Sequence, residues 1–405
     1  MSEAPEARPA RGARRRLPAT IVALGLVSLF TDASSEMIVP LLPAFLVTLG
    51  ASATMMGLID GVAETTSAML KLASGVWTDR ARRRKPFVLA GYGLASLARP
   101  MVALAQTPLA VLGIRFVDRL GKGVRSSPRD ALIAEAADAG QRGAAFGFHR
   151  AMDHTGALVG PLLAFVLLAL GVTTRHVFAL AALPAAAAVL TLIVFVKESP
   201  RADAAPAPGA PGAATAHPPL PAALRRYLVV LAVFTLASST DFFLLLRAHE
   251  LGVPDAQAPL LWALLHLVKS TLSTPLGALS DRLPRRRLIL AGWLVYALVY
   301  GAFGLARAPW HIWALFLVYG LYAAACEGAE KALVADLAPV TARGRAFGWF
   351  NFTIGLCALP ASLGFGLVWD HVGHAAAFAS GAGLAALAAL GLLLMGKVGN
   401  VENAG

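Results

Sequence analysis

Gly75-Val-Trp-Thr-Asp79-Arg80-Ala-Arg82-Arg83-Arg84-Lys85 ends one apolar stretch and opens the next, and Gly277-Ala-Leu-Ser-Asp281-Arg282-Leu-Pro284-Arg285-Arg286-Arg287 does the same in the second half of the chain. Gly75, Asp79 and Arg80 recur at an offset of 202 as Gly277, Asp281 and Arg282. Ala90, Gly91 and Tyr92 recur at 201 as Ala291, Gly292 and Trp293. At that same offset Ala131, Leu132, Ala134, Glu135, Arg142, Gly143, Phe146 and Gly147 answer to Ala332, Leu333, Ala335, Asp336, Arg343, Gly344, Phe347 and Gly348. Similarity at a fixed period marks a duplicated structural unit.

What lies on either side of these basic loops is hydrocarbon. Of 405 residues, 57% are hydrophobic and 14% charged, too few polar groups to cover that much apolar side chain in water, so the solvent is lipid. Apolar windows of ~20 residues, the length that a ~30 Å hydrocarbon core requires, lie near 18–47, 54–77, 86–105, 109–134, 145–171, 175–196, 226–248, 258–280, 287–306, 310–335, 345–369 and 374–396. The sequence therefore predicts an all-α polytopic membrane protein, with twelve transmembrane helices as two six-helix bundles, 18–196 and 225–397. A Pro/Ala/Gly-rich stretch without periodicity makes 197–224 a flexible linker. Residues 1–17 form a basic tail and 398–405 a short one.

The net charge of +12 is spread over loops rather than gathered on a soluble face, which excludes nucleic acid and leaves the bilayer as the partner. With the amino terminus in the cytoplasm, 22 of the 35 Lys and Arg fall in cytoplasmic segments, and only Arg175 and Arg307 lie on the opposite side. That bias predicts both termini in the cytoplasm and a multi-pass protein of the plasma membrane. The first polar residues run too long for a signal peptide, so the first apolar segment stays as a helix. Cys326 and Cys357 both fall in apolar windows and read as inert thiols.

At the basic loops the chain resembles the major facilitator superfamily. Gly75, Asp79, Arg80 and the cluster that includes Arg83 match its signature of a glycine, then Asp-Arg, then basic residues, although Ala81 and Arg82 stand where glycine usually separates the charges. The copy at Gly277, Asp281 and Arg282 is looser, with Pro284 in the turn. The resemblance covers Leu17 to Lys397. It implies that Asp79, and Asp281 with it, helps hold a cytoplasmic gate through charge pairing with an adjacent helix terminus. Gly156-Ala-Leu-Val-Gly160-Pro161 resembles the Gly-x-x-x-Gly-Pro element of proton-coupled antiporters, and Pro40-Leu-Leu-Pro43 resembles the drug:proton group. The same glycines also permit close helix packing, and Pro161 relaxes the helix.

Charges inside the windows carry the remaining information, because each costs ~2.5–3.5 kcal/mol at a helix centre and must be paired or used. The most central are Asp32, Glu64, Arg99, Arg115, Asp118, Asp241, His266 and Lys269. Asp32 and Glu36 stand one turn apart, as do Asp60 and Glu64, so each pair places two carboxylates on one face. Such pairs are suited to hand a proton from one side to the other. Arg115, Arg119 and Lys122 share a stripe of the fourth span, fit to hold an anion or to neutralise the acids. Asp153 of the fifth span joins the candidate proton and substrate groups. The competing reading is a structural salt-bridge lattice. Lys71, Arg129, Asp130, Glu327 and Lys331 lie where pairing or snorkelling suffices, and Glu327 with Lys331 forms an i,i+4 pair.

Neither a nucleotide-binding motif nor a soluble domain to house one is present in the sequence. His149, Met152 and His154 make a poor metal ligand set without a thiolate. No enzyme signature of the Ser/His/Asp or Cys/His type is found, and no metal or cofactor is called for. The expectation is a monomeric secondary transporter of a small organic solute, by alternating access and proton-coupled export. The alternatives are proton-coupled uptake of an anionic metabolite or metal chelate, and a non-transporting receptor.

Overall fold

The computed structural model describes residues 17–79, 83–137, 142–198, 220–339 and 343–395. Every regular element among them is helical. The first window is two helices, α1 (Ala19–Glu36) and α2 (Leu42–Thr48), joined by a 3-10 turn at Val39–Leu41 where Pro40 cannot donate. There follow α3 (Ala53–Asp79), α4 (Lys85–Ala98) with a 3-10 turn Arg99–Leu104, α5 (Pro108–Ala136), α6 (Arg142–Ala169), α7 (Thr174–Leu180) and α8 (Ala182–Phe195). The second half holds α9 (Ala222–Ala237), α10 (Phe242–Glu250), α11 (Ala258–Arg282), α12 (Arg285–Leu305), α13 (Pro309–Leu337), α14 (Arg343–Val372) and α15 (His374–Leu394). Each apolar window thus coincides with one helix or a broken pair.

Nine of these segments are long and apolar enough to cross a membrane by length and composition. The other three windows match α3, α5 and α11, which are as long but carry charged and hydroxyl side chains along their length. Large apolar side chains point outward on many helices, Leu104 and Leu305 each 75% exposed. In water such a belt would drive association; here lipid covers it.

Helix starts follow local chemistry. Thr107 accepts a hydrogen bond from Ala110 N at 3.2 Å and is followed by Pro108 at the first helical position of α5. Four reversals use glycine at positive φ: Gly50, Gly171, Gly252 and Gly373. Gly50 and Gly252 are 202 apart, as are Gly171 and Gly373, so the repeat extends to turn geometry that the aligned motifs do not contain.

Within the first half α1 packs on α6 and α8, α3 on α5, and α4 on α5 and α8. In the second half α9 and α12 pack on α15, and α11 and α12 on α13. The halves meet where α3 lies against α14, α6 against α11 and α2 against α10. The α3–α14 seam is lined with glycine. A Cβ on Gly61 would stand 2.9 Å from Leu359 Cα, and one on Gly366 2.7 Å from Thr54 Cα. Gly57 meets Ser362 and Gly355 meets Ala68 as closely. At the end of the seam Asp370 accepts from Ala53 N at 3.0 Å and Thr54 N at 2.8 Å, capping α3 from the opposite half.

Candidate functional site

The intramembrane charges gather where α1, α3, α5, α6 and the second half converge. At the centre is Asp118 of α5, only 2% exposed. Its carboxylate accepts from Arg99 Nε at 2.8 Å and lies 3.9 Å from both Arg115 and Arg119. Arg99 also donates to Thr31 O of α1 at 2.9 Å. Arg115 reaches Asp60 of α3 at 2.7 Å, and Arg119 reaches Glu64 at 3.3 Å. Three guanidinium groups and three carboxylates thereby balance, which is the condition under which buried charge is tolerated. The helical stripe of α5 and the i,i+4 acids of α3 make this register possible.

Two of the acids reach across the halves. Asp60 accepts a second bond from Thr240 Oγ1 at 2.7 Å, in the break between α9 and α10. Thr240 N in turn donates to Ser362 Oγ of α14 at 3.2 Å. Glu36 accepts from Trp262 Nε1 of α11 at 2.6 Å. Arg115 lies over the Phe242 ring, 5.7 Å from its centroid. The His266 ring stands 5.5 Å from that of Trp262, edge to face.

Asp32 differs from its neighbours. It is half-buried, and among the described residues its carboxylate has no hydrogen bond or ion pair. Asp153, Arg125, Glu36 and Lys122 are the charges that act on it. Asp153 is held by the Ser28 hydroxyl and lies 3.6 Å from His149. Gly156 and Gly160 of α6 press against this stretch of α1, where added Cβ atoms would stand 3.0 Å from Asp32 Cβ and from Ala33 Cα. Pro161 lies one residue further along the continuous α6. Lys122 and Lys269 likewise have no ion-pair partner among the described residues, whereas Asp241 accepts from Tyr319 Oη at 2.6 Å.

The four acids read as two alike pairs therefore separate: Asp60 and Glu64 join the arginine lattice, Glu36 binds an indole, and Asp32 stands apart. Glu327 pairs with Lys331 at 3.1 Å and also with Arg150 of the first half at 2.5 Å. Of the gate motif, Arg83 is exposed. Arg80 and the side chains of Gly75, Asp79, Gly277, Asp281 and Arg282 lie outside the described residues. Sequence reading passed over Thr240, Trp262, Tyr319 and Glu330, an acid whose nearness to the end of its window ranked it behind the central ones.

The profile of the Major Facilitator Superfamily matches residues 24–268 and again 227–403. The chain belongs to the major facilitator superfamily. It is an integral membrane protein of that transporter family. An uncharacterised superfamily transporter of Methanocaldococcus jannaschii is 33% identical over 390 residues, 94% of this chain and 96% of the relative. The multidrug resistance protein MdtH of Salmonella arizonae is 24% identical over 335 residues, 80% and 79% of the two chains. Among solved structures, a POT family transporter in complex with 5-aminolevulinic acid superposes with a TM-score of 0.78 at 12% identity, over 95% of this chain and 97% of that one. This likeness shows the superfamily fold.

Proposed function

We propose that this protein is a proton-coupled exporter of a small organic solute, working by alternating access between its two halves. In this reading twelve segments span the plasma membrane, with α3, α5 and α11 as the three charged spans and both termini in the cytoplasm, and the monomer is the working unit. The observation that carries the reading is Asp32, a carboxylate without a fixed partner among the described residues, beside an arginine lattice whose charges already balance. A group so placed is free to exchange a proton as access alternates. Similarity to MdtH supports export.

The test is transport in everted vesicles energised by respiration, with an acridine dye reporting the pH gradient and a panel of lipophilic cations, ethidium among them, as trial solutes. Addition of a solute should partly discharge the gradient, and Asp32→Asn should abolish that response while the protein remains folded. Unchanged pH-driven flux in Asp32→Asn overturns the carboxylate mechanism, and a parent protein that moves none of the panel overturns cation export. The second reading, uptake of an anion, is favoured by Lys122 and Lys269, one in each half and without ion partners among the described residues. Proton-driven accumulation of an anion that is lost in Lys122→Ala would establish it instead.

A further inference from the structure

Glu330 lies in α13, seven residues before its last residue Leu337, roughly 10 Å along the axis. Its one hydrogen bond among the described residues comes from Trp293 Nε1 of α12, at 2.9 Å. That donor is neutral. The adjacent Lys331 is engaged elsewhere, since it binds Glu327, which also holds Arg150. No ion pair to Glu330 is formed among the described residues.

Its surroundings are aromatic. Trp293 is fully buried and stacks on Phe234, with ring centroids 4.3 Å apart. The titratable groups that face Glu330 are Tyr227 of α9 and, along its own helix, Tyr322, Cys326, Glu327 and Lys331. The Tyr227 hydroxyl is itself buried and without a partner among the described residues. Glu330 is only half-buried, so one side of it is open while the ring of Trp293 closes another.

A carboxylate ion without a counter-charge is strongly disfavoured there, and the neutral acid far less so. If Glu330 served only to accept from Trp293, a glutamine would do equally well, and the acid would bring nothing but cost. We propose that Glu330 binds and releases a proton during the transport cycle, as a second-half partner to Asp32. The proton comes from water on the open side and returns to water when access changes, with no other bond made or broken.

The proposal rests on the reading of the protein as proton-coupled, but its spectroscopic test is independent of Asp32 and of any solute. Infrared difference spectra between acid and alkaline buffer, taken on the full chain in lipid, report the carbonyl stretch of protonated carboxyl groups. Glu330→Gln can still accept from Trp293, so the fold should persist while one carboxyl component disappears. Trp293→Phe should keep that component and shift it, because the hydrogen bond is lost. A Glu330→Gln spectrum that superposes on the parent overturns the proposal, and so does an unmoved band in Trp293→Phe should the first variant fail to fold. In vesicles, Glu330→Gln should lower pH-driven export at least tenfold while solute exchange at equal pH continues; parent-level driven export overturns the coupling role. Normal driven flux in Asp32→Asn alongside an intact Glu330 band would sink the Asp32 reading alone.

Discussion

Asp118→Asn tests whether the lattice on α5 is held by charge. The substitution keeps the shape and removes one of three negative charges that balance Arg99, Arg115 and Arg119. Asp60 and Glu64 still serve Arg115 and Arg119 at 2.7 and 3.3 Å, so the deficit falls on Arg99, which is 5% exposed and keeps only neutral acceptors, the carbonyl of Thr31 and the amide oxygen that replaces the carboxylate. Breaking a buried pair from one side costs about 3–5 kcal/mol. At ~1 °C per kcal/mol for a chain of 405 residues, that lowers the unfolding temperature by roughly 5 °C. The assay is tryptophan fluorescence during a thermal ramp of purified protein at one fixed scan rate, since irreversible unfolding makes the midpoint rate-dependent. Asp130→Asn is the control: its bond to Arg129 is equally short at 2.8 Å, but its side chain is 50% exposed, so the change should stay within ~1 kcal/mol. Adding Arg99→Gln to Asp118→Asn should restore most of the loss, with a coupling energy of ~2 kcal/mol or more. Equal midpoints for Asp118→Asn and Asp130→Asn, or strictly additive effects in the double variant, would refute the reasoning.

Gly160→Val should abolish folded protein, because its side chain would enter the backbone of Ala33, whereas Gly147→Ala, with open space around the Cβ, should leave yield and size-exclusion profile unchanged. Asp370→Asn should loosen the cap that joins the halves, a charge-assisted pair of bonds worth ~1.5–3 kcal/mol; with Ser362→Cys as reporter and Cys326 and Cys357 replaced, alkylation should speed up about tenfold, and an unchanged rate counts against the latch. Thr240→Val removes the cross-half bond to Asp60 but leaves Arg115 in place, so alkylation should rise in the same assay while thermal stability falls by no more than ~1.5 kcal/mol.

Much of the architecture was legible in the sequence because lipid imposes a single length scale on every apolar run. Windows such as 109–134 and 258–280 lie within α5 (Pro108–Ala136) and α11 (Ala258–Arg282). The first window read as one segment, yet α1 and α2 are separated by a 3-10 turn, and Pro40 there was the available sign. The site was legible only as faces. Asp32 and Glu36 share a stripe, but which of them acquires a partner depends on where Trp262 arrives from the other half, a contact with no local signature. The stripe of Arg115, Arg119 and Lys122 looked equally cationic throughout, and only the approach of α3 distinguishes the two neutralised arginines from the lysine. Glu330 was overlooked because depth along a helix is a poor guide to counter-charge: its isolation arises from Glu327 taking the adjacent Lys331.

The glycines at the junction of α3 and α14 have a mechanical consequence. Interlocked side chains would make one half climb over discrete teeth whenever it tilted against the other, and each tooth would add a barrier. Gly57, Gly61, Gly355 and Gly366 instead leave two nearly bare backbones in contact, a plain bearing on which a small rotation changes little until the terminal clasp at Asp370 lets go. Resistance to movement is thereby concentrated at a few polar points rather than spread along the joint, and those points are where a proton or a solute has leverage.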